Sequence, residues 1–412
     1  MSQTDPYLVI GGGLAGAKAA EALRQAGYAG PLTILAAEDH LPYERPGLSK
    51  GFLLGRDEQD SLLVHPEQWY AEHDVELRRG TRVVELDPAG HVVVTESGEQ
   101  LPYAKLLLAT GSSPRRLSLP GADLAGVHYL RTLEDSNALK ETFGAGRRVV
   151  VIGAGWIGLE TAAAARTSGA EVTVLEYAAQ PLLNVLGPEL GAAFAELHRS
   201  HGVDVRCGVS VAELRAGDQP GRVASVVLAD GSELPADAVV VGVGVAPNDE
   251  LARGAGLTVD SGIVVDESLR TSDPDVFAVG DVANAYHPRL DRQLRVEHWA
   301  TALRQPEVVA KAMLGEAAAY DADPYFFTDQ YDLGMEYFGY VGPGDDAQLV
   351  IRGDLASLKF IAFWLVGGRL RAAMQVNDWD ASETVKALVR HGAEVDGARL
   401  GDASVPLADL LP

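Results

Sequence analysis

An α/β chain is predicted here, with two doubly wound halves and a smaller α+β domain at the C-terminal end. Three observations carry that expectation. The apolar run Tyr7-Leu-Val-Ile10 leads into Gly11-x-Gly13-x-x-Gly16, and an Ala-rich helical pattern follows. The same order recurs where Val149-Val-Val-Ile152 leads into Gly153-x-Gly155-x-x-Gly158. From Phe326 the chain changes to alternating aromatic runs such as Tyr331-Asp-Leu-Gly-Met-Glu-Tyr-Phe-Gly-Tyr340, which read as antiparallel strands.

Each glycine run is a buried strand turning tightly into a helix. Bare backbone at such a turn lets a pyrophosphate sit against the helix N-terminus, where free N–H groups and the helix dipole favour negative charge. One such run is weak evidence, since glycine turns before helices are common. Two of them imply two Rossmann-like domains and two dinucleotides, which points to a flavin exchanging electrons with a nicotinamide. The candidate cradles are Gly11, Gly13, Leu14, Ala15 and Gly16 for FAD, and Gly153, Gly155, Trp156, Ile157 and Gly158 for NADH.

Glu171-Val-Thr-Val-Leu-Glu176 is a β-rich run ending in a carboxylate about twenty residues after the second turn, where a ribose 2′-hydroxyl is read. Tyr177 and Ala178 follow, with no Arg or Lys to receive a 2′-phosphate, so NADH is favoured over NADPH. After the first turn Leu32-Thr-Ile-Leu-Ala-Ala37 is the matching strand, but its acid, Glu38, comes one residue late. Either Glu38 reaches the ribose from a shifted position or the backbone alone holds it.

Composition narrows the function classes. At 412 residues the chain is too long for one core, and 47% hydrophobic residues suffice for two or three. The formal charge of −24, from 34 basic and 58 acidic residues, argues against nucleic-acid or anionic-membrane binding. No apolar run is long enough to span a bilayer, and the start carries no basic segment, so a soluble cytoplasmic protein is expected. Cys207 is the single cysteine, which excludes a redox thiol pair and thiolate zinc or iron–sulfur sites. It reads as a buried small residue, and no metal site is predicted.

Between the glycine turns lies the loop Leu41-Pro-Tyr-Glu-Arg-Pro-Gly-Leu-Ser-Lys50, then short alternating runs over Val75–Leu86 and His91–Thr95. The apolar strand Leu106–Ala109 ends in Thr110-Gly111, and Ser112–Pro120 reads as a crossover. Val239-Val-Val-Gly-Val-Gly-Val-Ala-Pro247 mirrors that strand in the second half. Val276-Phe-Ala-Val-Gly-Asp-Val-Ala283 reads as one more strand–glycine–helix turn, with Asp281 in it.

With these residues assembled, the chain resembles the bacterial FAD-dependent NADH:ferredoxin reductases of oxygenase and cytochrome P450 systems, which share the glutathione-reductase fold. The resemblance covers nearly the whole chain. It rests on the paired glycine runs, Leu41–Lys50, Ala109-Thr-Gly111, Val279-Gly-Asp-Val-Ala283 and Phe327-Thr-Asp-Gln-Tyr-Asp332. The resemblance places FAD contacts on Ala15, Ala37, Lys50, Val83, Arg131, Asp281 and Trp299, with Arg45, Glu38, Ala109, Thr110, Gly111 and Gly280 as further candidates. It places NADH contacts on the second turn, Glu160, Glu176, Gly242, Val243 and Gly244. Ala37 stands where the family usually has an acid, and Pro46-Gly47 replaces its Pro-Pro.

The resemblance implies catalytic roles for Lys50, Glu160 and Trp299. Lys50 is expected near the flavin N5/O4 edge, where a cation stabilises the anionic character of reduced flavin. Glu160 reads either as a carboxylate complementing the helix dipole in the first turn or as a partner of Lys50 that gates the nicotinamide side. Asp281 reads as a helix N-cap, a contact to the FAD ribityl and phosphate region, or both. Trp299 is expected to order and shield the flavin ring. His298 is read as structural, because hydride passes from the nicotinamide C4 without a base. A serine triad is set aside because no GxSxG elbow occurs.

The expected domains are an FAD domain over residues 1–112 and 243–325, an NADH domain over 113–242, and an α+β interface domain over 326–412. The expected reaction is hydride transfer from NADH to FAD, then single electrons to a small iron–sulfur ferredoxin feeding a cytochrome P450 or Rieske oxygenase. The protein's part is to hold nicotinamide C4 near flavin N5 and exclude water. A monomer or weak homodimer is expected. The ferredoxin is expected to dock over the flavin edge, between the Trp299 region and the terminal domain, with Arg289, Arg292, Arg295 and Arg304 as the basic patch. The rival readings are a rubredoxin reductase and an apoptosis-inducing-factor-like flavoprotein acting by partner binding. A peroxide or NADH oxidase would want a flavin-side cysteine near Lys50, and none is there.

Overall fold

The computed structural model describes residues 5–342, 344–392 and 394–411. The chain forms two compact units: Met1–Arg45, Gln59–Ser113 and Val245–Pro324 make the first, and Pro46–Glu58, Pro114–Gly244 and Tyr325–Pro412 the second. One segment groups differently from the sequence reading. Residues 46–58 pack within the second unit, because Ser136 donates to the Leu48 carbonyl at 2.9 Å and Leu53 lies in that unit's apolar core. By its contacts the terminal segment clusters with the second unit, within which it has a sheet of its own.

The first unit is built on a five-stranded parallel sheet in the order Val276–Ala278, Lys105–Leu108, Tyr7–Ile10, Leu32–Leu35, Val75–Arg78. Val9, Ile34, Leu106, Leu107 and Leu108 are fully buried, as expected for parallel strands covered on both faces. The helix Leu14–Gln25 packs its alanines Ala17, Ala19 and Ala20 inward and ends beside Arg24, whose guanidinium takes the Tyr28 and Gly30 carbonyls. The run Val75–Leu86 divides between two sheets: Val75–Arg78 is the edge of the parallel sheet, and Val83–Asp87 begins a three-stranded antiparallel one.

The helix expected after Asp281 does not form. A single 3-10 turn, Gly280–Val282, leads straight into the strand Ala283–His287. That strand is bonded on both sides, to Ile263–Val265 and Arg292–Arg295, and one helical turn has too few bonds to compete. The reading of Asp281 as a helix N-cap therefore fails.

The second unit repeats the plan with the order Asp204–Cys207, Glu171–Glu176, Arg148–Ile152, Ala238–Val241, Val127–His128, again parallel. Corresponding residues hold corresponding bonds: Gly11 N–H donates to the Leu35 carbonyl at 2.9 Å, and Gly153 N–H to that of Leu175 at 2.8 Å. The unit also holds a three-stranded antiparallel sheet, Val211–Ala216, Val223–Leu228 and Glu233–Pro235, and a five-stranded one, Tyr325–Gln330, Leu333–Gly339, Arg369–Val376, Lys359–Val366 and Ala347–Asp354, with the helix Ser382–His391 packed on it. Within the described residues no helix is long and apolar enough to cross a membrane.

In both halves the third glycine lets the helix touch the turn. A Cβ on Gly16 would stand 2.0 Å from the Gly11 carbonyl oxygen, and one on Gly158 at 2.0 Å from that of Gly153. Neither obstacle is a flexible side chain, so the backbone itself has to shift. Gly158→Ala is expected to cost about 3 kcal/mol of stability, as overpacking a rigid contact does. Gly254, helical with open space around its Cβ position, is the control. Gly254→Ala should be neutral or slightly stabilising in the same urea titration. Equal midpoints for the two variants contradict the close-contact account.

Candidate functional site

The first cradle lies wholly in the first unit. Gly13 caps the helix Leu14–Gln25 without bringing any side-chain hydrogen bond, and a Cβ on it would meet nothing within 4 Å. The N–H groups of the first turn are thus left for a ligand, and the space before them is open. Ala109-Thr-Gly111 closes one side: a Cβ on Gly11 would stand 2.1 Å from the Ala109 carbonyl oxygen. Thr110 is held by Asn248, donating to its carbonyl at 2.7 Å and receiving its amide at 2.8 Å. Gly280 approaches Ala15, 3.2 Å from its added Cβ, so the Gly280–Asp281 turn stands against the same helix start. Gln305 was missed: fully buried, it accepts the Gly280 N–H at 2.7 Å and orients that turn. Nothing in its neighbourhood of the sequence distinguishes it from a surface glutamine.

The acid of the first half has two partners of its own. Glu38 accepts from Tyr43 Oη at 2.6 Å and from Arg45 at 2.7 Å, while Ala37 is exposed. Counting from the paired residues Ile10↔Leu35 and Ile152↔Leu175, the position equivalent to Glu176 is Ala36, which has no side-chain acceptor. Asp281 acts on Arg45 electrostatically, adding a second acid to that group. Val83 is partly buried at the edge of the first core. Trp299 opens the helix Trp299–Met313, and its indole N–H donates to Glu44 at 2.8 Å. Burial pushes His298 down to about 4, so it is neutral near pH 7, in keeping with a structural role.

The second cradle has the acceptor that the first lacks. Gly155 caps the helix Trp156–Thr167 with no side-chain hydrogen bond, and only the Gly242 carbonyl, at 4.0 Å, lies near its Cβ position. Glu176 accepts from the Ala154 N–H at 2.6 Å, inside the glycine turn, and from the Ala178 N–H at 2.8 Å. Its carboxylate is therefore fixed at the lip of the cradle. Gly242 faces Gly153 with its carbonyl 2.4 Å from an added Cβ, and the Gly244 carbonyl takes Arg115 N–H at 2.9 Å. Trp156 packs its ring on Phe194 and Phe326, whereas Ile157, Tyr177 and Val243 are exposed. Both cradles pass the same fit test for a dinucleotide: an uncapped helix start, open space before it, and bare glycine where a side chain would intrude.

Lys50 and Glu160 meet within the second unit. Lys50 Nζ lies 2.5 Å from Glu160, and the carboxylate is 4% exposed. Ser49 Oγ and Thr328 Oγ1, the latter at 2.6 Å, also donate to it. Glu160 is the fifth residue of its helix, past the first turn, so the dipole reading gives way to a buried pair with three donors. The Lys50 ammonium also lies 5.3 Å from the Phe327 ring centroid. Ser49 and Thr328 were not singled out, although both lie in the two most particular sequence stretches. The available signal was Thr328 and Gln330 on one face of a strand, polar where an apolar pair belongs. Arg131 stands in this unit just before the helix Leu133–Thr142, its N–H given to Asp135 at 2.9 Å.

Two further expectations meet competing interactions. Arg289 pairs with Asp323 and Arg295 with Glu297, and Arg304 donates to the Asp323 carbonyl at 3.3 Å. The basic cluster is thus matched in part by its own carboxylates. Cys207 is half-buried at a strand end, and burial raises its thiol above the ordinary range, away from thiolate chemistry.

His198 is fully buried on the helix Pro188–Ser200, and desolvation pushes it down to about 4. The unfolded chain takes up a proton near pH 6.5 that the native state refuses until about pH 4, so His198 lowers stability as the pH falls through that window. The loss is about 3 kcal/mol at the acid end. Urea unfolding of wild type and His198→Gln at pH 7 and pH 4.5 should show a shallower acid loss in the variant. Parallel losses rule out His198 as a source.

A pyridine nucleotide-disulphide oxidoreductase model matches residues 5–306, and a reductase C-terminal model matches residues 325–411. The ferredoxin–NAD(+) reductase component of an anthranilate 1,2-dioxygenase system from Burkholderia cepacia is 41% identical, over 99% of both chains. Putidaredoxin reductase from Pseudomonas putida is 37% identical, over 100% of this chain and 98% of its own. Among solved structures, the covalent putidaredoxin reductase–putidaredoxin complex aligns with a TM-score of 0.94 at 36% identity, covering 98% of each chain. A ferredoxin reductase from Rhodopseudomonas palustris also gives 0.94, at 39% identity over 99% of this chain and 100% of its own. Matched from the first strand through the terminal sheet, with both cradles in place, the chain belongs to the pyridine nucleotide-disulphide oxidoreductase family.

Proposed function

We propose that this chain is an NADH-dependent ferredoxin reductase, carrying FAD and delivering electrons singly to a small iron–sulfur ferredoxin that serves a cytochrome P450 or Rieske oxygenase. The observation that carries this reading is two open glycine cradles in a chain with one cysteine. A family named for disulphide chemistry is represented here without a thiol pair, so the reducing equivalents have to leave by another acceptor. The names of its relatives, ferredoxin reductases of oxygenase systems, agree with that exit.

The flavin, when bound, supplies what no side chain can: acceptance of an electron pair and its release one electron at a time. Every other step belongs to the protein. The N–H groups beyond Gly13 and Gly155 bind the two pyrophosphates at helix starts. Glu176, anchored on Ala154 N–H, accepts from the ribose hydroxyls of NADH. At the other cradle the FAD ribose falls either to Glu38, steadied by Tyr43 and Arg45, or to the backbone at Ala37. Lys50 supplies a positive charge for hydride transfer, kept in one place by Glu160. Asp281 and Trp299 complete the FAD contacts.

NADH should outcompete NADPH, because Glu176 would meet the 2′-phosphate with like charge, a clash that costs several kcal/mol. Glu176→Arg should bring the two cofactors' kcat/KM values together or reverse them. Equal kcat/KM in the wild type sinks the ribose assignment. The purified protein should be yellow and release its FAD into the supernatant on acid precipitation. Colour retained in the pellet would contradict a non-covalent cradle. Gly13→Ala should fold with a stability close to wild type yet bind FAD more weakly, since the added Cβ meets nothing of the protein and enters the space before the helix start. Unchanged FAD affinity places the pyrophosphate elsewhere.

A further inference from the structure

The Glu160 carboxylate is the last acceptor of a longer series of buried hydrogen bonds inside the second unit. Thr328 Oγ1 lies 2.6 Å from Glu160, Gln330 Nε2 lies 3.2 Å from Thr328 Oγ1, and His198 Nε2 lies 2.9 Å from Gln330 Oε1. On the other side of the imidazole, Tyr331 Oη lies 3.2 Å from Nδ1. Thr328, Gln330 and His198 are 0%, 1% and 0% exposed, so water offers them no substitute partners.

The direction of every bond follows from its end. A carboxylate paired with Lys50 can only accept, so Thr328 has to donate to it. The threonine oxygen is then free only as an acceptor toward Gln330, which turns the amide NH₂ to Thr328 and its oxygen to His198. An amide oxygen demands a donor, so His198 carries its proton on Nε2 and offers a bare Nδ1. Tyr331 donates to that nitrogen.

A second, independent observation lies at Tyr331. It occupies a two-residue hairpin between Gln330 and Leu333 with φ of 57°, left-handed for a bulky residue. Such a conformation is unfavourable without compensation. Compensation is visible: the ring stacks on His201 with centroids 3.7 Å apart and planes 7° apart, and the hydroxyl reaches His198. Glycine or asparagine would suit the turn better but could do neither.

We infer that Tyr331, His198, Gln330 and Thr328 form a one-directional hydrogen-bond chain that positions the Glu160 carboxylate, with His198 held as the Nε2–H tautomer. They are positioning residues acting through Glu160, and their catalytic consequence rests on the role proposed above for the Lys50–Glu160 pair. Burial, which drives His198 toward its neutral form, keeps the imidazole able to donate and accept at once. The chain links the loop bearing Lys50, the glycine-turn helix, the helix Pro188–Ser200 and the terminal sheet.

The test has two readouts on the flavin-loaded protein. In ¹⁵N-histidine spectra, the ring lost in His198→Gln should be a neutral Nε2–H imidazole. In Tyr331→Phe its Nδ1 signal should move downfield, as it loses a donor while the stacked ring stays. A protonated Nδ1, or no shift, overturns the chain whatever the enzyme does with NADH. In rapid mixing with NADH, Tyr331→Phe and Thr328→Val should each slow flavin reduction about 3- to 10-fold. The KM for NADH should be unchanged, and Thr328→Ser should restore the rate. The double variant should be no slower than Thr328→Val alone, because both act through one path. Multiplying effects, or a Tyr331→Phe rate within twofold of wild type, overturn the positioning role. If Thr328→Val does not fold, the Tyr331→Phe spectrum and rate decide the matter.

Discussion

Contact between bare backbones at the two glycine turns is the constraint on which this structure depends. Gly16 and Gly158 each bring a helix start within 2.0 Å, measured to an added Cβ, of a carbonyl in the preceding turn. That approach aims the helix axis at the strand end and leaves its first N–H groups facing outward with no side chain over them. The buried parallel strands, the crossover helices and the position of both cradles follow from it. A side chain at either glycine would push the helix away and remove the anion site at the same time.

The two halves share this geometry and differ in charge. In the second half Glu176 binds the turn's own N–H and presents a carboxylate to whatever lies there. In the first half the equivalent position is an alanine, and the neighbouring acid is held by a tyrosine and an arginine. One plan thus yields one cradle with a carboxylate bonded to its turn and one without. Selectivity between dinucleotides comes from these side chains at strand ends, while the capacity to bind either comes from the backbone.

Glu160 shows how the fold keeps a charge buried. An isolated carboxylate at 4% exposure would be expensive, and a single lysine would leave its second oxygen short of donors. The Ser49 hydroxyl, from the proline-rich loop, donates to that second oxygen, while the Thr328 hydroxyl, from the terminal sheet, shares the first with Lys50. Removing the Ser49 hydroxyl leaves a buried oxygen without its donor, and removing Thr328 leaves the other to Lys50 alone, so the loop, the helix and the sheet strand act together. Thr328 and Gln330, polar residues facing inward on a strand, look like patterning errors until their partners are seen.

Local features were legible in the sequence. The glycine spacing, the apolar runs, the acid at Glu176, the antiparallel terminal strands and the missing thiol pair all follow from neighbours along the chain. Fold class and both cradles could therefore be assigned from one sequence. What the tertiary structure decided lay in pairings between distant residues: Lys50 and Thr328 reach Glu160 from 110 and 168 positions away. Pattern also misled where a competing partner existed. The Asp281 turn reads as a helix start, but it leads into a strand bonded on both sides. Periodicity records which way a residue faces, and hydrogen-bond partners across the fold decide what that residue does.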